Sequence, residues 1–162
     1  MFSWKLGVLM IRNKRQYIIT KSQVKKFENA LDDFTKQGSN THPMLVKAQK
    51  EAMESQLAEL EDQVKEYEKL RSGKYKVLKE SSFEDLPIEL IRARIALGLT
   101  QKQLAELVGL KEQQIQRYEK TEYASASFSR LQGIIAALGL EVKEKIHLPK
   151  ERRVHELSGK QL

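Results

Sequence analysis

The 162-residue chain contains no cysteine. Disulfides and thiolate metal sites are therefore excluded, and nothing in the composition requires an oxidising compartment. Proline (3) and glycine (8) are scarce and aromatics make up only 7% of residues, which favours helices over a many-turned β-fold. Long apolar runs are also missing. The stretch Met1–Met10 is short, has no small-residue cleavage site and runs into Arg12-Asn-Lys-Arg15, so it reads as neither a signal peptide nor a membrane span. Met10 is a second candidate start, which would leave residues 1–9 as an extension. Acid is absent before Glu28, whereas Lys5, Arg12, Lys14, Arg15, Lys21, Lys25 and Lys26 precede it. The whole net charge of +7 thus lies in that segment, and the remainder is neutral. Clustered cations release counterions when they bind a polyanion. A basic arm, residues 1–20 and the lysines just after it, is therefore expected to meet a phosphate backbone or an acidic protein partner through Arg12, Lys14, Arg15, Lys21 and Lys25. The plain alternative is a solvated terminus.

What is present is helical periodicity, with 40% hydrophobic residues to build a core. Val24, Phe27, Leu31 and Phe34 place one apolar stripe on a first helix, with Thr20 or Ser22 as its N-cap, and Gly38–Pro43 breaks it. From Met44 to Arg71 no glycine or proline interrupts a second helix, along which Met53, Leu57, Leu60, Val64 and Tyr67 form a short heptad run. This helix outruns the first. We therefore expect a helical hairpin over 21–73 whose far end, at Leu57, Leu60, Val64 and Tyr67, packs on a second copy or a partner in coiled-coil fashion; the alternative is packing within its own monomer. Residues 74–85 read as a linker.

Beyond the linker the signals are denser. Asp85 can cap a helix with Pro87 in its first turn, Ile88, Ile91, Ile95 and Leu97 on its apolar side and Gly98 at its end. Thr100-Gln-Lys-Gln103 is a capping box that opens a short helix, Gly109 stops it, and a third helix follows over about Glu112–Glu119. The small side chain of Ala105 suits two helices crossing at a tight angle. A fourth helix over Phe128–Leu138 carries Leu131, Ile134, Ile135 and Leu138 on one side and ends at Gly139. Leu140, Val142, Ile146 and Leu148 then alternate with polar residues as a short C-terminal strand, with Glu144 out of phase, before a tail over 149–162 that is expected to be disordered.

The third of these helices is rich in amides. At 100° per residue Ile115 and Tyr118 share an inward face, and Gln113, Gln116, Arg117 and Lys120 project from the other. Glutamine can bond adenine bidentately, arginine guanine, and Glu112 can accept from cytosine N4. A helix face that is merely solvated would ordinarily be dressed in Glu and Lys, so this one points to base edges.

The run Leu99-Thr-Gln-Lys-Gln-Leu-Ala through Gly109 to Ile115 and Glu119, with the closing Leu131–Gly139 pattern, resembles the Xre/Cro-type helix-turn-helix of phage repressors and of many bacterial antitoxins. The resemblance covers residues 86–139 and implies a lambda-repressor-like domain over 86–148. It implies Gln101 as a phosphate contact and Lys111, Glu112, Gln113, Gln116 and Arg117 as groove readers. Lys120 joins them on the outward face, and Gln114, nearer the flank, is a candidate phosphate contact. Thr121 stands where the family commonly has glycine, and Ala124-Ser-Ala-Ser127 replaces its usual proline-led loop.

Other chemistry finds little support. His42, His147 and His155 share no metal-ligand spacing, Asp32-Asp33 and Glu61-Asp62 are neighbours that diverge on helices, and no glycine-rich phosphate loop is present. No enzyme, metal or cofactor is expected. The chain therefore reads as a mostly α protein: a dimeric, cytoplasmic repressor that binds double-stranded operator DNA in the major groove. The resemblance narrows this to an antitoxin that represses its own operon and neutralises a protein toxin. The competing reading is a coiled-coil adaptor in which the helix-turn-helix is only a scaffold.

Overall fold

The computed structural model describes residues 10–36, 42–73 and 83–143. Among them six helices follow one another: α1 (Lys14–Lys36), α2 (Pro43–Arg71), α3 (Leu86–Ala96), α4 (Gln101–Leu107), α5 (Glu112–Lys120) and α6 (Phe128–Ala137), with a 3₁₀ turn over Phe83–Asp85 leading into α3.

The first helix begins well before its apolar stripe does. Asn13 acts as its N-cap, accepting from the Gln16 N–H at 2.9 Å, while the Gln16 side chain accepts from the Arg12 N–H at 2.8 Å. Asn13 thus makes the first half of a capping box, and Gln16 returns its bond one residue earlier, to the residue before the cap. The described part of the expected basic arm, residues 10–20, therefore joins the fold: Met10 and Ile11 are buried, and Thr20, expected as the cap, is a buried residue inside α1. At the start of α2, His42 accepts from the Met44 N–H through Nδ1, with Pro43 at the first helical position.

Because α1 starts at Lys14, it runs alongside most of α2, and the two pack as an antiparallel pair. Tyr17 stacks on Tyr67 with ring centroids 5.1 Å apart. That register sets Val24 near Leu60 and Phe27 near Leu57, and the stripe residues on both helices, Val64 included, are half-buried. The far end of α2 was expected to outrun α1. It is covered from within the same chain, so its length gives no ground for a second copy there.

The end of α2 then enters the main core. Leu70 is 1% exposed and belongs to one cluster with Leu90, Ile91, Ile95, Leu104, Ile115, Tyr118 and Ile134. Helix α3 lies in the middle of this cluster and is buried on nearly every side, including at Glu89 and Arg94. Its end departs from the expected pattern, since Leu97 is 55% exposed. Arg92 on α3 reaches Glu66 on α2 at 2.7 Å and Glu89 at 2.8 Å, an ion-pair bridge between hairpin and core.

Two glycine stops set the short connections. At Gly98 (φ 74°) the Leu99 N–H returns to the Arg94 carbonyl, and at Gly109 (φ 66°) the Leu110 N–H returns to that of Ala105. Both are Schellman closures that need a left-handed residue. The capping box of Thr100 and Gln103 forms as expected. The loop before α6 instead uses Glu122 (φ 49°) and Tyr123 (φ 59°), two consecutive left-handed residues that are not glycine, and Ser127 caps α6. The expected strand is a correction in part: Leu140–Lys143 has no strand structure, and no other strand exists among the described residues to pair with it. Its remainder, the tail over 149–162 and most of the linker, residues 74–82, lie outside the described residues.

If the hairpin is part of the core, Leu70→Ala should cost the whole protein about 2–5 kcal/mol. Urea unfolding should then show a single transition with a lowered midpoint. A loss confined to an early, separate transition would mean that the hairpin unfolds by itself.

Candidate nucleic-acid interface

Helix α5 is held by its inner residues and leaves the rest to solvent. Ile115 is fully buried and Tyr118 is 6% exposed, whereas Lys111, Glu112, Gln113, Gln116, Arg117 and Lys120 are all exposed. Small buried Ala105 and Leu104 on α4 allow the close approach that α4 and α5 make around Gly109. The Arg117 guanidinium lies 5.8 Å from the centroid of the Tyr118 ring, a cation–π placement that carries it along the exposed side. Gln116 Nε2 donates to Glu112 Oε1 at 3.1 Å. This exposed bond contributes little to stability, so Gln116 can exchange it for a base edge at small cost.

Gln114 has a different task from its neighbours. It is half-buried, and its side-chain oxygen accepts from the Lys111 N–H at 3.1 Å, closing one half of a cap at the start of α5. Lysine has no acceptor to return the bond, so the other half cannot form.

Gln101 is also set apart. It is 7% exposed, and Nε2 donates to Glu119 Oε2 at 2.7 Å. Glu119, 0% exposed, is joined in turn by Arg94, which donates through Nε to Oε1 and through Nη2 to Oε2. The same guanidinium donates to the Leu99 carbonyl through Nη1 and to the Arg12 carbonyl through Nη2, each at 2.8 Å. One buried arginine thus fastens the end of α3, the start of α4, the last turn of α5 and the segment before α1. Sequence reasoning missed it. The available signal was Arg94, one helical turn after Leu90 in the run Leu90-Ile-Arg-Ala-Arg-Ile95, together with a glutamate at the end of the third helix.

Tyr123 packs beside this group, stacked on Tyr118 at 6.1 Å. Burial, reinforced by the Glu119 carboxylate and partly opposed by Arg94, pushes its phenol pKa up. Its buried hydroxyl has no hydrogen-bond partner among the described residues.

The cations expected to form one arm are split by the fold. Lys21 donates to the Tyr17 hydroxyl at 2.9 Å and to Glu68 at 3.2 Å, contacts that raise its pKa, so it is engaged within the hairpin. Lys25 lies exposed further along α1. Arg12, Lys14 and Arg15 instead line an open cleft of about 1080 Å³ between the start of α1, the end of α2 and the α4–α5 surface. Glu112, Gln116 and Lys120, three residues on one face of α5, line the same cleft. Among the described residues no cluster of His, Asp and Glu has the arrangement of a metal site, and no helix is long and apolar enough to cross a membrane.

Four short helices in this order, with the second and third packed tightly around Gly109 and the outer face of the third free, decide the comparison. Residues 90–145 match the helix-turn-helix family. The helix-turn-helix domain spans about a third of the chain and implies DNA binding. No curated protein and no solved structure matches the chain. Within the helix-turn-helix domain α5 is the third helix, the one whose exposed side the resemblance assigns to the groove.

Breaking the buried ion pair from one side should be costly, because it leaves an uncompensated charge in the core. Glu119→Gln and Arg94→Met are each expected to lose about 3–5 kcal/mol in denaturant titrations. The double variant Arg94→Met with Glu119→Leu should lose less than the two single losses added together; full additivity would mean that the pair is not coupled.

Proposed function

We propose that this protein is a sequence-specific DNA-binding repressor that reads the major groove with Gln113, Gln116 and Arg117, helped by Glu112, Lys111 and Lys120. The observation that carries this reading is the outward face of α5, where amides and arginine are exposed on a helix whose inner side is fixed by Ile115, Tyr118 and the Arg94–Glu119–Gln101 group. Gln101, with its amide nitrogen committed to Glu119, serves first to set α4 against α5, and any phosphate contact is made from that position. Paired half-sites would be bound by a dimer, whose two copies of α5 enter successive major grooves.

The narrower reading is an antitoxin that represses its own operon and uses the hairpin to hold a toxin. Supporting it are the size of the hairpin, which the DNA-reading helices do not need for groove access, and the exposed apolar residues Met44 (74%) and Leu45 (58%) at the start of α2.

A good bidentate base contact contributes roughly 1–3 kcal/mol of discrimination. Arg117→Ala and Gln113→Ala should therefore each reduce preference for the operator over random duplex by about one to two orders of magnitude in a binding titration, with helicity unchanged. A wild-type protein that shows no preference for any fragment of its own upstream region would refute the DNA reading. For the antitoxin version, co-expression with the neighbouring gene product should relieve growth arrest. Met44→Gln with Leu45→Gln should abolish relief while sparing operator binding; relief that survives this change removes the toxin from the hairpin.

A further inference from the structure

The helix-turn-helix domain has no charge surplus with which to hold DNA. Over residues 81–140, Arg92, Arg94, Lys102, Lys111, Arg117, Lys120 and Arg130 are balanced by Glu84, Asp85, Glu89, Glu106, Glu112, Glu119 and Glu122. The attraction to a phosphate backbone that dominates most protein–DNA affinity must then come from elsewhere in the chain. The cleft beside α5 is where the surplus from the N-terminal segment arrives.

Its rim carries Lys14 and Arg15 from the first turn of α1, Arg71 from the end of α2, and Lys120 from α5, all exposed and none in an ion pair among the described residues. Arg12 lines the same wall, and its Nε is a buried donor without a partner among the described residues. Cations that outnumber the acids around one concavity repel one another, and a polyanion removes that cost. Among the described residues two acids line the cleft: Glu68 is already paired with Lys21, and Glu112, bonded to the neutral Gln116, offsets one of the cations. The wall is also fixed in place, since the Arg94 guanidinium holds the Arg12 carbonyl and Asn13 caps α1.

Continuity decides what the cleft takes. Gln116 and Lys120 line it from the same helix that presents Gln113 and Arg117 to solvent, so a duplex read by α5 brings one of its own strands to this wall. We infer that the cleft is a second part of the DNA-binding surface, in which Lys14 and Arg15 of the hairpin, with Arg12 and Arg71, grip the phosphate backbone flanking the bases that α5 reads. The hairpin is thereby a DNA-binding element in its own right. This rests on the DNA reading given above, and it assigns affinity to α1 and sequence choice to α5.

The test uses the full-length chain and two duplexes, the operator and a random sequence of equal length, over a series of salt concentrations. Lys14→Gln with Arg15→Gln should weaken binding to both duplexes equally and lower the slope of log affinity against log salt by about two, since each lost phosphate contact contributes about 0.9. Preference for the operator should stay as it was. Lys25→Gln with Lys26→Gln removes the same charge from α1 outside the cleft and should leave the slope nearly unchanged. Equal slope losses in the two double variants would overturn the proposal, because long-range charge alone would then account for the effect. So would an unchanged slope in Lys14→Gln/Arg15→Gln while Arg117→Ala still loses operator preference, a result that leaves the DNA reading standing. Wild-type protein that binds neither duplex would sink both. Circular dichroism of each variant checks that α1 is retained, and charge reversal at the same two positions should give a larger loss in the same direction.

Discussion

The arrangement of this protein depends on one buried guanidinium. Arg94 sits 2% exposed at the end of α3 and makes four hydrogen bonds through its fork: two to Glu119, one to the Leu99 carbonyl and one to the Arg12 carbonyl. Taking such a pair out of water costs several kcal/mol per ion, and only good geometry with further hydrogen bonds offsets that cost. Gln101 supplies one such bond to the carboxylate. What the group contributes is therefore less a gain in stability than a choice of arrangement. An apolar pair could fill the same space, but it would not dictate which backbone carbonyls converge there.

That choice explains why the hairpin cannot be regarded as an appendage. The chain before α1 is tied to Arg94 through its backbone, Leu70 from α2 is buried in the same cluster as Ile91 and Ile115, and Arg92 bridges to Glu66. Helix α3, enclosed by the hairpin on one side and α4–α6 on the other, transmits the position of each to the other. The start of α1 consequently faces the same cleft as α5, instead of projecting freely.

Much of the helix-turn-helix domain was legible because its signals are local. The Thr100 and Gln103 box, the glycines at 98, 109 and 139, and the apolar spacing of α5 and α6 each act within a few residues, and local physics is what a sequence displays directly. The misreadings have a common cause as well. Asn13 and Gln16 also form a local cap, but they were hidden in a run of cations that reads as a solvated arm, so α1 was placed seven residues late and α2 seemed too long for it. Leu97 fits the period of α3 and is exposed, because the Schellman turn at Gly98 redirects the chain there. Arg94, Glu119 and Gln101 meet only in three dimensions, and polar residues that satisfy one another in a core look, one at a time, like surface.

The bond from Arg94 to the Arg12 carbonyl joins positions 82 residues apart, and that from Arg94 to Glu119 spans 25. Contacts of such separation must wait for chain closure, whereas the α1–α2 pair needs only its own short connection. During synthesis the hairpin can therefore form first, but the segment before α1 has no place to dock until α3 and α5 have both left the ribosome. Met10 and Ile11, buried in the finished molecule, stay uncovered for that interval. The moment at which the helix that carries Gln113 and Arg117 becomes rigid is also the moment at which the first described residues of the chain are covered, so a protein unable to complete one end is left with the other unfinished.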